Sequence, residues 1–460
     1  MFPLLRTAGR RSVHRGQLSP LSFASSIHTT PIPLNPSAPA CKPGYTKFLG
    51  AQSKWTYELK INQPGEPMEC FRVMNEEAKY ETSNYELKHS PETLKKMYTS
   101  MVSLNEMDKI FYDAQRQGRI SFYMTSYGEE ATHIGSASAL ESEDVVFGQY
   151  REAGVLVWRG FTLEQFAHQC FSTTHDVGKG RQMPVHYGSR ALNFQTISSP
   201  LGTQLPQAAG TAYALKREGR KNVVICYFGE GAASEGDFHC ALNMSSTLSC
   251  PVIFFCRNNG YAISTPVREQ YRGDGIAARG IAYGIPTIRV DGNDLLAVHD
   301  ATAAARELAL EKNTPVVIEA MTYRGGHHST SDDSTRYRGP EEISYWSESE
   351  NPITRFRLLL EKRGLWDSHQ EATLRKELRT KVLAAMNEAE RTKKPAASQM
   401  FSDVYADLPP HLQEQTQQLA DHLKKYAEFY NLDEFETEET YVDKSKEDRA
   451  NNKYGEALKQ

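Results

Sequence analysis

A carboxylate flanked by glycines, Gly229-Glu230-Gly231, follows the apolar run Val223–Phe228, and two side-chain amides, Asn258-Asn259, follow the next such run, Val252–Cys256. Glycines let a backbone approach an anion closely, and a carboxylate with an amide oxygen is a hard donor set that suits Mg²⁺ when phosphate oxygens and water complete its octahedron. A helix beginning just beyond would point free N–H groups at the phosphate. Other phosphate loops fail on spacing. Position 234 is Ser234 where a dinucleotide fingerprint requires glycine, and no Gly-Lys-Ser/Thr follows. Asn-Asn-Gly alone reads equally well as a tight turn, and only its pairing with Gly-Glu-Gly points to a metal-phosphate site.

The two turns meet only if the segments carrying them lie side by side. A helix is expected from about Glu235 to Leu248 between them, then a third strand near Thr287–Val290, a helix over Asp294–Glu311 and a fourth strand over Pro315–Met321. Strands alternating with helices predict an α/β fold, a mostly parallel sheet flanked by helices. Right-handed crossovers then gather the strand-end loops on one edge, where ligands of such sheets bind. Upstream, Ser90 caps a long helix with Pro91 at its first position and Gly118 past its end, with Leu94, Met97, Tyr98, Met101, Leu104 and Phe111 as its apolar stripe. A helical segment over Glu129–Leu140 and a polar turn over Phe147–Arg151 follow. Beyond Pro352, helices are expected over Ile353–Lys362, Glu371–Arg391 and from Pro410 to about Phe429.

Between Met1 and Tyr57 there is no Asp or Glu, while Arg6, Arg10, Arg11 and Arg15 stand among serines. That is the composition of a mitochondrial presequence, set at about residues 1–45, and implies the matrix. Residues 46–90 read as an extended arm, 91–350 as the α/β domain, 351–432 as a helical C-terminal region, and 433–460 as a polar tail, solvated or disordered. The net charge of -4 gives no electrostatic reason for a nucleic-acid partner, and no apolar run approaches the ~20 residues that cross a bilayer. Seven cysteines without a Cys-x-x-Cys pair read as reduced thiols, not a disulfide framework or a zinc site.

The metal pattern resembles the thiamine diphosphate motif, with Glu230 where Asp is usual. The stretches Arg119-Ile-Ser-Phe-Tyr-Met, Phe147-Gly-Gln-Tyr-Arg-Glu, Gly180-Arg-Gln-Met-Pro-Val-His, Tyr227-Phe-Gly-Glu-Gly-Ala-Ala-Ser-Glu-Gly, Arg257-Asn-Asn-Gly-Tyr-Ala-Ile-Ser-Thr and Thr322-Tyr-Arg-Gly-Gly-His-His-Ser-Thr-Ser-Asp-Asp resemble the alpha subunits of mitochondrial 2-oxo acid dehydrogenases. The likeness runs in order from about Cys70 to Asp433. Within the family, Glu230 and the run His327–Asp333 look like the branched-chain form.

The resemblance implies a thiamine diphosphate-binding fold and assigns roles. Glu230, Asn259 and the Tyr261 carbonyl would hold Mg²⁺. Tyr150, Arg151, Arg257 and His328 would contact the diphosphate, with Ser199, Leu201, Gly229, Gly231 and Ala232 lining the site. Ser198, Pro200, Thr203 and Gln204 resemble a K⁺ site. His328 would be the catalytic residue, since histidine titrates near neutrality. Ser329 resembles an inhibitory phosphorylation site served by a kinase and phosphatase, while Gly339 after Tyr337-Arg338 removes a second. The implied partners are a beta subunit in an α₂β₂ heterotetramer, which completes the site, and a lipoyl-bearing transacylase. The alternatives are the pyruvate-specific alpha subunit and a non-catalytic alpha-like scaffold.

Overall fold

The computed structural model describes residues 53–63, 65–82 and 84–437. The chain divides between Gly65 and Glu66 into two units. In the first, every described residue is exposed. The expected presequence lies outside the described residues.

In the second unit, six strands form one parallel sheet in the order β2-β1-β3-β4-β8-β7. They are β1 (Val145–Phe147), β2 (Phe194–Gln195), β3 (Val224–Gly229), β4 (Val252–Asn258), β7 (Thr287–Asp291) and β8 (Val316–Met321), while β5 (Tyr261–Ala262) and β6 (Thr265–Pro266) make a small hairpin. The helices are α1 (Pro91–Arg116), α2 (Glu130–Ser138), α3 (Ala153–Arg159), α4 (Leu163–Cys170), α5 (Gln204–Arg217), α6 (Gly236–Thr247) and α7 (Val267–Gln270). There follow α8 (Ala277–Ala282), α9 (Leu295–Lys312), α10 (Pro340–Glu348), α11 (Pro352–Lys362), α12 (Ser368–Arg391) and α13 (Pro410–Lys425).

The four expected strands are β3, β4, β7 and β8. The largely apolar sequences of β3, β4 and β8 follow from burial on both faces, whereas β7 at the sheet edge carries Thr287, Arg289 and Asp291. Ile225, Tyr227, Ile253, Phe255 and Ile318 face one core with residues of α1, α2, α9 and α11, while Cys226, Phe228, Phe254, Cys256 and Val317 face another with residues of α5 and α6. Alternation along each strand is therefore present but hidden, because both sides demand apolar residues. Strands β1 and β2 were not expected. Each is too short to carry a pattern, and Phe147, placed in a turn by its polar successors, ends β1 beside Cys226 of β3.

The helix start at Ser90 follows its cap logic: its hydroxyl accepts from the Thr93 N–H at 3.2 Å. From Phe71 the chain adds to the sheet edge, pairing with β7 through the Phe71 N–H to the Arg289 carbonyl and the Asp291 N–H to the Phe71 carbonyl, both 2.9 Å. Near the other end, Lys394 exchanges backbone hydrogen bonds with Glu434 and Glu436, each 2.8 Å. Residues 438–460 of the polar tail lie outside the described residues.

Among the described residues no cysteine pairs with another: Cys170, Cys226, Cys250 and Cys256 are buried, and Cys70 and Cys240 exposed. No described helix is long and apolar enough to cross a membrane.

From β1 the chain moves outward to β2, then returns to place β3 on the other side of β1 and continues through β4. The order reverses between β1 and β3, so the crevice at their C-terminal ends is the topological switch point where such sheets bind ligands.

Candidate active site

The register of β3 and β4 sets Gly229 opposite Arg257, so Glu230 and Asn259 emerge from adjacent strands at one edge. Both are buried, and both line a cleft of about 420 Å³. Tyr150, Ser199, Leu201, Gly229, Gly231, Ala232, Arg257, Tyr261 and His328 line it too. Gly231 is required sterically, because a Cβ there would stand 2.6 Å from the Ala262 Cβ of the β5–β6 hairpin. Arg151 lies behind the wall, fully buried, with its Nη2 donating to the His328 carbonyl at 2.9 Å. Ser198, Pro200, Thr203 and Gln204 share the turn entering α5. Thr203 donates to the Pro200 carbonyl at 3.0 Å, and the Gln204 amide donates to the Tyr227 carbonyl at 3.1 Å. A larger open cleft, about 780 Å³, lies beyond β4 toward β7, and Tyr261 is the only one of these site residues it includes.

The sequence reading missed the residues that organise this cleft. Glu129 precedes α2, fully buried, and accepts from the Asn259 amide at 2.8 Å and from Arg257 Nη1 at 2.5 Å. Because the Asn259 nitrogen is held by Glu129, its oxygen is left as the acceptor, taking only the Tyr261 N–H at 3.3 Å. Glu152, also fully buried, binds Arg257 through Nε at 2.8 Å and receives the Gln149 and Tyr150 N–H groups at 2.8 and 2.9 Å. Arg324 bonds the Ile263 carbonyl and the Tyr337 hydroxyl at 2.7 and 2.8 Å. His186 pairs with Ser199 at 2.8 Å. The resemblance gave neither carboxylate a role, although Glu152 closes the stretch that begins at Phe147: one stands at a helix start, the other after a turn.

Charge in the cleft is only partly matched. Burial pushes Glu129 upward, but the guanidinium groups of Arg257 and Arg151 outweigh it and hold the carboxyl below its usual range. Burial raises Glu230 to about 7. Burial, then Arg151 and Arg324, lower His328 to about 3. The protein's own charges thus disfavour the cationic imidazole, whereas the sequence reading expected a histidine titrating near neutrality. Three buried polar atoms around the cleft lack hydrogen-bond partners: Glu230 Oε1, Arg151 Nε and Arg324 Nε. An orphaned acceptor beside orphaned cationic donors fits a cation and an anion binding together, a pairing that Mg²⁺ and a diphosphate satisfy.

Residues 98–398 match the dehydrogenase E1 component family. The chain belongs to that family. It is similar to 2-oxoisovalerate dehydrogenase subunit alpha, mitochondrial, of Bos taurus, at 53% identity over 95% of this chain and 93% of the relative. The Homo sapiens protein of the same name is 55% identical over 85% of this chain and 88% of the relative. That of Dictyostelium discoideum is 54% identical over 84% and 88%.

Two stability predictions test this frame. Glu129→Ala removes one carboxylate from a fully buried set and leaves Arg257 and Asn259 short of a partner. Breaking a buried pair from one side costs about 3–5 kcal/mol, read as a lower denaturant midpoint, and a variant within ~1 kcal/mol of wild type would refute the assigned network. Gly128 sits at φ +89°, and a Cβ there would lie 2.1 Å from the Tyr323 carbonyl oxygen. Gly128→Ala must therefore shift the backbone that carries Glu129, with an expected loss of about 2–3 kcal/mol by thermal unfolding.

Proposed function

We propose that the chain is the alpha subunit of a thiamine diphosphate-dependent branched-chain 2-oxo acid dehydrogenase. It decarboxylates the 2-oxo acids derived from Leu, Ile and Val and passes the acyl group to the lipoyl group of a transacylase. Membership in the E1 family implies the cofactor and a beta partner. The observation that carries the site reading is the buried, unpartnered Glu230 oxygen beside Asn259 at the switch point. Relatives named for 2-oxoisovalerate favour the branched-chain substrate over pyruvate, and they are named mitochondrial, in keeping with the acid-free leader. A scaffold has no need of an orphaned buried carboxylate, which costs several kcal/mol without a ligand.

When bound, thiamine diphosphate supplies a carbon nucleophile and an electron sink for the departing CO₂. The protein's part is placement. Glu230, Asn259 and the Tyr261 carbonyl hold Mg²⁺, and Glu129 turns the Asn259 oxygen toward it. Arg151, Arg257, Tyr150 and His328 receive the diphosphate, whose charge opposes the two guanidinium groups that depress His328. Ser199, Leu201, Gly229, Gly231 and Ala232 shape the walls. Ser198, Pro200, Thr203 and Gln204 take K⁺, which steadies the turn into α5. The beta subunit completes an α₂β₂ assembly in the mitochondrial matrix, and a kinase and phosphatase act at Ser329.

The test is turnover by the chain assembled with its beta partner, supplied with thiamine diphosphate, Mg²⁺ and a lipoyl-bearing domain as acceptor. Oxidation of 3-methyl-2-oxobutanoate is expected to exceed that of pyruvate. Preference for pyruvate would overturn the substrate, and no turnover of either would leave only the scaffold.

A further inference from the structure

A second group of metal-ligating side chains lies away from the cleft. His168 near the end of α4, His175 in the following loop and Glu388 on α12 bring three ligand atoms within 4.8 Å of one another. His168 is buried, while His175 and Glu388 face solvent. The two imidazoles meet edge to face, with centroids 4.9 Å apart.

We infer that His168, His175 and Glu388 form a site for a borderline divalent cation of the zinc class, with water as the fourth ligand. Two imidazoles and a carboxylate are a zinc-type donor set, whereas Mg²⁺ and Ca²⁺ select oxygen. The buried member is already oriented as metal-bound histidines are. His168 Nδ1 pairs with the Thr173 hydroxyl at 2.9 Å, and that same hydroxyl accepts the His175 N–H at 3.2 Å. With Nδ1 donating to that hydroxyl, Nε2 would be the ligating atom, and the contact would be the outer hydrogen bond that characterises metal-ligating histidine. Tetrahedral zinc separates its ligand atoms by ~3.3 Å, so the three must close by at most ~1.5 Å. His175 sits on a loop and Glu388 on an exposed helix face, so the closure needs only side-chain rotation.

The other histidine cluster, His89, His299 and Asp300, is less available, because the Asp300 carboxylate already accepts from the Tyr85 hydroxyl at 3.0 Å.

The site joins the loop after α4 to the end of α12, where the Thr174 N–H already reaches the Lys393 carbonyl at 2.9 Å. That loop leads to Met183 and His186, which line the cofactor cleft. A bound cation would therefore stiffen the approach to the cleft without touching Glu230 or Asn259.

The experiment uses the untagged full chain, stripped of metal and held in excess Mg²⁺ so that the oxygen-rich site is occupied. Zn²⁺ is titrated by equilibrium dialysis, with Co²⁺ as a spectroscopic probe of tetrahedral geometry. Wild type is expected to take up one equivalent, with tetrahedral Co²⁺ absorption. His175→Ala and Glu388→Gln, both at solvent-facing positions, should each weaken it by at least ~10-fold. Trypsin cleavage after Lys179 and Arg181 should slow with Zn²⁺ in wild type only. Absence of a saturable equivalent, or a loss below ~10-fold in either variant, overturns the proposal whatever the outcome at the cofactor cleft.

Discussion

Glu230→Gln in the assembled enzyme is expected to lose turnover about a thousandfold, some 4 kcal/mol of transition-state stabilisation, while the protein becomes no less stable. The two effects have opposite signs because one side chain is a poor structural element and a necessary ligand. The carboxylate is 2% exposed, its Oε1 has no partner, and burial lifts its pKa to about 7. Glutamine keeps the shape and removes the charge that the fold cannot solvate, which is worth about 1–2 kcal/mol in the metal-free protein. On the proposed site, Mg²⁺ would meanwhile lose the only anionic ligand among Glu230, Asn259 and the Tyr261 carbonyl, and would retain a diphosphate poorly. Denaturant unfolding in chelator and steady-state kinetics with saturating cofactor measure the two halves separately. A variant that unfolds earlier than wild type, or one that turns over normally, contradicts the assignment.

Long apolar runs ending in chemically distinctive turns made β3 and β4, and with them the meeting of Glu230 and Asn259, legible before any coordinates. The same holds for α1, whose cap and stripe are local. Strands β1 and β2 were not legible, since three and two residues cannot display a period, and pairing, of β1 with β3 and of β2 with β1, rather than propensity makes them strands. Their absence from the sequence reading also hid the position of the switch point, which depends on β1 lying between β2 and β3. Glu129 and Glu152 were invisible for a different reason. An acidic residue at a helix start or after a turn is ordinary at the surface, and only the fold reveals that both are fully buried against Arg257. Resemblance pointed to Arg257 but carried no information about what holds it still.

That buried set has a functional consequence. Arg257 is gripped by Glu152 through Nε and Nη2 and by Glu129 through Nη1, which leaves fewer donors for a phosphate than an unpaired arginine would offer. Arg324 keeps a buried Nε without a hydrogen bond instead, and Arg151 Nε has only a long ion pair with Glu129 at 3.7 Å. The cleft thus divides its cations between one that is structurally fixed and two that are short of acceptors, and the second kind responds most to an arriving anion. His328 lies between those two, with Nδ1 at 3.5 Å from Arg151 and 3.4 Å from Arg324.

Ser329→Glu in the assembled enzyme is expected to abolish turnover, to below about a thousandth of wild type, because the loop bearing His328 has no room for a further carboxylate beside Asp332. Ser329 is 7% exposed, its hydroxyl accepts the Ser331 N–H at 3.3 Å, and its carbonyl receives the Asp332 N–H at 3.1 Å. Asp332 in turn anchors the His328 N–H at 2.7 Å and the Tyr337 hydroxyl at 2.6 Å. On the far side Thr330 is sewn to Tyr123 by two hydrogen bonds, 3.1 and 3.3 Å. A carboxylate confined beside Asp332 without a partner costs about 3–5 kcal/mol, more than such a loop can absorb, so the segment must leave its place. With it goes His328, and a phosphate of about −1.5 to −2 charge, set near a bound diphosphate, acts in the same direction more strongly. Ser329→Ala removes one weak hydrogen bond and should keep turnover within about threefold. Kinetics of the two variants, with proteolytic susceptibility of residues 327–338 as a report on the loop, decide the matter: a fully active Ser329→Glu enzyme, or an inactive Ser329→Ala one, would show that the serine's burial is incidental to control.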